Sequence, residues 1–120
     1  MPLDASTRHV KENLEYGISN RQSLPPLYSQ QNVDDPLVIC HFFLPDTDWD
    51  WYVVEFDGTE IFYGWSPLVQ GMGTFHLSEL RIMRGLQGMS VQRDGNFLPV
   101  PLSKVKELRP SIGAAQEAVA

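Results

Sequence analysis

Lysine and arginine are absent from the middle of this chain: none occurs between Gln22 and Leu80. Recognition of a phosphate backbone depends on those residues, so the absence excludes direct nucleic-acid binding by this part of the chain. Cysteine is almost absent too. Cys40 stands alone, which excludes an internal disulfide and fits a reducing cytoplasm. No apolar run approaches the ~20 residues of a membrane span, and the longest, Leu37 to Leu44, contains His41. The N-terminus carries early charge and no apolar h-region, so no signal peptide is visible. The expectation is a cytoplasmic protein that does not enter a membrane.

What is present is acidic and aromatic. The window without basic residues holds nine acids: Asp34, Asp35, Asp46, Asp48, Asp50, Glu55, Asp57, Glu60 and Glu79. The remainder holds all nine basic residues and six acids, so the net charge of −6 is a −9 centre plus flanks that sum to +3. Within that centre, Leu37 to Trp65 carries nine of the thirteen aromatics. An acidic centre permits binding to a basic protein surface; the plainer reading is solubilising charge.

With 120 residues and 42% hydrophobic content, the chain suits one globular domain. Residues 1–20 read as a helical segment, capped at Asp4 or Ser6 and ended by Gly17. Residues 21–110 read as the core domain, and 111–120 as a flexible tail. Leu37 to Leu44, apolar on both faces, reads as a central strand that Pro45 ends. After a turn at Asp46–Asp48 comes a strand from Trp49 to Phe56, and after Asp57-Gly58 another from Ile61 to Trp65. Short links favour an antiparallel meander. A brief strand at Thr74–Leu77 leads to a helix capped by Ser78. A hairpin is expected around Asp94-Gly95, with Pro99 and Pro101 confining its second arm to a sheet edge, and a last helix starts at Ser103. The fold class is therefore α+β: one domain, an antiparallel sheet of about five strands, and short helices packed on it.

Few residues suggest chemistry. Asp46, Asp48 and Asp50 alternate as calcium-loop ligands do, with Asp57 at the twelfth position, but Trp51 occupies the place that needs glycine. They read as a polar turn. His41 and His76 lack any zinc-type spacing, so no metal and no cofactor is expected. Cys40 and His41 point to opposite faces of a strand, the wrong geometry for a thiolate–imidazole pair. Glu55 differs, because it lies within an apolar strand. Counting alternation puts it on the face of Trp51 and Val53, and a buried carboxylate needs a partner, for which Arg81, Arg84 and Arg93 are the candidates. Trp49, Trp51, Tyr52, Tyr63 and Trp65 serve either as core or as an exposed hot-spot surface.

Four stretches resemble one family. They are P-D-T-D-W-D-W-Y-V-V-E-F-D-G, F-Y-G-W, G-T-F-H-L-S-E-L and G-M-S-V-Q-R-D-G-N-F. Together they are similar to the bacterial domain of unknown function 2958, frequent on plasmids, phages and conjugative elements. Trp51, Glu55 and Asp57 match its W-x-x-x-E-x-D strand. Phe62 to Gly64 match its F-G step with Tyr63 inserted, and Leu77 to Leu80 match its helix start. Gly88, Val91, Arg93, Asp94 and Phe97 match its closing segment, with Gln92 where an acid is usual. The resemblance covers about Leu27 to Ser103 and implies a setting more than a mechanism.

The resulting expectation is a non-enzymatic protein-interaction module of a mobile element, with counter-defence as its specific version. Its contact residues are expected to be Asp46, Asp48, Asp50, Trp49, Trp51, Tyr63 and Trp65, facing a basic protein partner. A small enzyme built from scattered carboxylates and histidines is one alternative, and a structural or oligomerisation module is another.

Overall fold

The computed structural model describes residues 24–68 and 71–109; the expected N-terminal helix and C-terminal tail lie outside them. The described elements are β1 (Leu37–Val38), β2 (Cys40–Phe43), β3 (Asp50–Phe56), β4 (Ile61–Ser66), β5 (Gly71–His76), α1 (Leu77–Ile82), β6 (Gln92–Arg93), β7 (Val100–Pro101) and α2 (Leu102–Leu108). A five-stranded sheet runs in the order β5-β4-β3-β2-β6, antiparallel throughout, and β1 and β7 form a separate two-stranded sheet.

Apolar residues cover both faces of the central strands. On one face Phe42, Trp51, Val53, Phe56 and Phe62 pack with Leu77 and Leu80 of α1. On the other Tyr52, Val54 and Trp65 pack with Val38 and with Leu102 and Val105 of α2. The meander and the five-strand count match the sequence reading. The expected first strand is divided, because its start pairs with β7 (Leu37 opposite Pro101) while Cys40 onward pairs with β3. The expected hairpin around Asp94-Gly95 is a correction. The turn forms, with Phe97 N–H donating to Asp94 O at 3.3 Å, yet its arms separate to pair with β2 and β1. Open partner strands outcompete a local arm that two prolines have stripped of donors. Gly71 and Gly73 lie in β5.

One irregularity governs the sheet's chemistry. Val53 pairs with Gly64 and Glu55 pairs with Tyr63, so Val54 is an extra residue, a β-bulge. Past it the alternation inverts. Glu55 joins the face of Tyr52, Val54 and Trp65, not that of Trp51 and Val53.

Both helices begin Leu-Ser, and neither serine caps its helix. The leucines, Leu77 and Leu102, are buried. Ser78 donates its N–H (3.1 Å) and hydroxyl (2.6 Å) to Glu60. Ser103 donates its N–H (2.8 Å) and hydroxyl (2.6 Å) to Asp35. Remote carboxylates thus occupy the helix N-termini, where the backbone favours negative charge. The Ser78 and Ser103 bonds hold Glu60 and Asp35 below the usual carboxylate range.

Asp57 organises the β3–β4 turn: its Oδ1 accepts N–H bonds from Thr59, Glu60 and Ile61 at 2.8–3.0 Å. Backbone bonds from Glu60, Thr59 and Ile61 lower its pKa from 3.8 to about 2. A depressed folded-state pKa adds stability above the unfolded value and loses it as pH falls through the folded one. Asp57→Asn should therefore melt below wild type by a constant margin above pH ~5, and the margin should shrink as pH falls and vanish only below pH ~2. Thermal melts of both proteins across that range check it.

Candidate functional site

One exposed indole, that of Trp49, stands at the β2–β3 turn. Leu44 N–H donates to Trp49 O at 2.9 Å, closing a tight loop over Pro45–Asp48. Trp49 N–H donates to Thr47 Oγ1 at 3.0 Å. This holds the Trp49 side chain outward, 44% exposed, edge-on to Trp51 with centroids 6.5 Å apart at 81°. Below it opens an apolar trough of about 340 Å³ lined by Trp49, Trp51, Ser66, Leu68, Phe75 and Met83. Asp46 and Asp48, on the same turn, are exposed.

The remaining expected contact residues separate from this site. Trp51 and Trp65 are core residues, 7% and 3% exposed; Trp51 supplies only the trough wall. Asp50 is buried. Tyr63 lies on the opposite face of the sheet, in a larger groove of about 540 Å³ whose lining includes Tyr28, Gln30, Glu55, Thr74 and Lys106. Alternation accounts for this split, since Trp51 and Tyr63 have opposite parity once the bulge is counted.

Glu55 is 2% exposed, and its partners are not the expected arginines. Oε1 accepts the Tyr28 N–H at 2.7 Å and Oε2 accepts the Gln30 N–H at 2.8 Å. Gln30 continues the clasp, donating from Nε2 to Leu37 O and Val54 O and accepting from Leu37 N–H. The segment from Leu24 to Pro36, rich in proline (Pro25, Pro26, Pro36), is thereby fastened across the sheet, with Tyr28 at φ +71°. Arg93 sits beside Phe42 on the other face, and Arg84 Nη1 donates to Arg81 O and Met83 O. The bulge sends the carboxylate away from all three.

A polar cluster lies at the β2–β6 end. His41 Nε2 is 3.4 Å from Asp50 Oδ2, and Nδ1 is 3.4 Å from Asp94 Oδ2. The imidazole stacks on Tyr52, centroids 4.4 Å apart at 4°. Asp50 Oδ2 also accepts from Tyr52 Oη and Arg109 Nε, each at 3.3 Å, while its Oδ1 is buried without a hydrogen-bond partner. Burial, then the Asp50 charge, pushes the Tyr52 phenol up. Burial pushes the Cys40 thiol up to about 12, which makes it inert. Among the described residues no group of three or more His, Cys, Asp or Glu is arranged to hold a metal ion.

The acids of the central window are thus mostly committed to structure. Asp35 and Glu60 sit at helix starts, Asp57 at a turn, Glu55 under the proline-rich segment, and Asp50 against Arg109. Asp34, Asp46, Asp48 and Glu79 remain exposed. Sequence reading missed Leu68, Phe75 and Met83 as trough residues, and missed His41 with Asp94. A β2–β3 register centred on the Asp46–Asp48 turn would have placed His41 near Asp50. Nothing local marks the other residues.

A family model described as "Protein of unknown function (DUF2958)" matches residues 7–113. No curated protein and no solved structure matches the chain. No helix among the described residues is long and apolar enough to cross a membrane.

Proposed function

The chain belongs to DUF2958, and from that premise we propose that it is a non-enzymatic protein-interaction module contacting its partner through the Trp49 trough. The supporting observation is an indole left 44% exposed at the mouth of an apolar trough, on a turn carrying two exposed acids. Tryptophan is a frequent hot-spot anchor. A tryptophan this exposed, beside an apolar wall, offers a partner large desolvation. Asp46 and Asp48 select a basic surface and speed encounter. The setting we propose is a mobile genetic element, with presentation of negative charge to a basic host protein as its counter-defence version.

A pull-down from the native host compares wild type with Trp49→Ala and with Asp46→Asn/Asp48→Asn. Trp49→Ala should bind its partner roughly 30-fold more weakly, the ~2 kcal/mol of a hot-spot truncation. The double variant should bind more weakly at low salt and lose most of the salt dependence seen in wild type. A partner retained equally by all three proteins would falsify the reading.

The enzyme reading has one observation in its favour, the meeting of His41, Asp50 and Asp94 with Asp50 Oδ1 unpartnered. Both imidazole nitrogens already face carboxylates, which leaves neither for a substrate proton. It therefore ranks second.

A further inference from the structure

We propose that β5 is a self-pairing edge, along which two copies of the chain join antiparallel into one continuous ten-stranded sheet. β5 ends the sheet order, and among the described residues it is paired only with β4. Its six residues, G-M-G-T-F-H, include no Lys, Arg, Asp, Glu or Pro. Those are the residues with which sheet edges normally avoid further pairing. The edge at the other end, β6, is only two residues long.

The ladder's phase is fixed by Leu77 N–H, which donates to Glu60 O at 2.8 Å. In an antiparallel ladder this makes Ile61–His76 a non-hydrogen-bonded pair. Main-chain groups of Gly71, Gly73 and Phe75 therefore turn toward β4, and those of Met72, Thr74 and His76 turn outward. A two-fold axis perpendicular to the sheet at Thr74 sets Thr74 opposite the copy's Thr74, and Met72 opposite the copy's His76. All of these residues have outward N–H and C=O groups, so every pair closes both of its bonds.

The same axis sets Gly73 opposite the copy's Phe75, in the closer, non-hydrogen-bonded kind of pair. A Cβ built on Gly73 meets nothing within 4 Å, so the aromatic ring has open space over the glycine, an arrangement that shields weak glycine positions in sheets. Symmetry repeats this fit twice. The complementarity favours a second copy over a foreign strand. So does charge, because an uncharged edge lacks the attraction for basic partners that Asp46 and Asp48 give the trough. Gly73 also lines the Trp49 trough, so the copy's Phe75 would add to that trough's wall, and the pairing would set the two troughs side by side on one face, where a repetitive partner gains avidity.

Sedimentation or light scattering of the full chain at tens of micromolar should give twice the 13.6 kDa of one chain. Thr74→Pro removes one outward N–H while keeping the bonds to β4, and should be monomeric with an unchanged circular dichroism spectrum. Thr74→Lys, at an exposed side chain, should also be monomeric and serves if the proline variant folds poorly. Thr74→Cys should form a disulfide-linked dimer on mild oxidation, since directly opposed residues lie within disulfide reach and the buried Cys40 does not compete. A wild-type monomer across this concentration range overturns the proposal, whether or not a foreign strand binds at β5. A dimer that survives both Thr74→Pro and Thr74→Lys overturns it equally.

Discussion

Glu55→Ala is expected to cost about 4 kcal/mol of folding stability, the sum of two charge-assisted bonds at roughly 1.5–3 kcal/mol each. The loss is large because two main-chain N–H groups, of Tyr28 and Gln30, lose their partner at once, and truncation leaves a void where a side chain 2% exposed had been packed. Tyr28 compounds it. Its left-handed backbone is tolerated while the carboxylate holds the segment down. Glu55→Gln should recover less than half, since one amide position becomes a donor facing an N–H. Urea titration gives the magnitude. Limited proteolysis should open the chain between Leu24 and Pro36 before global unfolding. A Glu55→Ala protein within 1 kcal/mol of wild type, or with that segment equally protected, would remove the clasp from this account.

Gly64→Ala is expected to cost at least about 3 kcal/mol, beyond the usual overpacking range. An added Cβ would clash with Tyr52 O and lie 3.1 Å from Val53 Cα. Both are backbone atoms of the neighbouring strand, so no side chain can swing aside. Relief requires β3 and β4 to part next to the bulge. Gly73→Ala, across the β4–β5 ladder, meets open space and should cost under ~1 kcal/mol in the monomer. Thermal melts of the pair test whether the Gly64 effect is steric or simply the loss of a strand glycine.

The strands were legible because apolar runs and turn signals coincide at Pro45 to Asp48 and at Asp57-Gly58. Their local propensity agrees with the tertiary pairing. Glu55 was half legible: a carboxylate in an apolar strand announces a buried partner, but the partner depends on parity. One extra residue at Val54 reverses parity with no compositional trace. The acidic surface was overread for a related reason. Asp35 reaches Ser103 and Glu60 reaches Ser78, over sequence separations that no local pattern reveals. Asp50 finds Arg109 from the far end of the core. A run of acids looks uncommitted until their distant donors are known. The aromatics show the same limit, since Trp49 and Trp51 line one trough and differ only in that Trp49 precedes the strand while Trp51 lies within it.

The pairing order also bears on how the chain assembles. β2 to β5 follow one another with short connections, whereas Phe42 waits for Arg93 and Leu37 for Pro101. Loop-closure entropy favours the meander as the earlier-forming unit and delays the C-terminal strands. In a chain emerging from the ribosome, Cys40–Phe43 then spends an interval as an unpaired apolar edge. Gln92 and Arg93 end that interval by covering it with polar side chains. The segment after α1 thus acts as a late seal against misassociation, and truncation before Gln92 is expected to yield aggregates even though most of the sheet is encoded upstream.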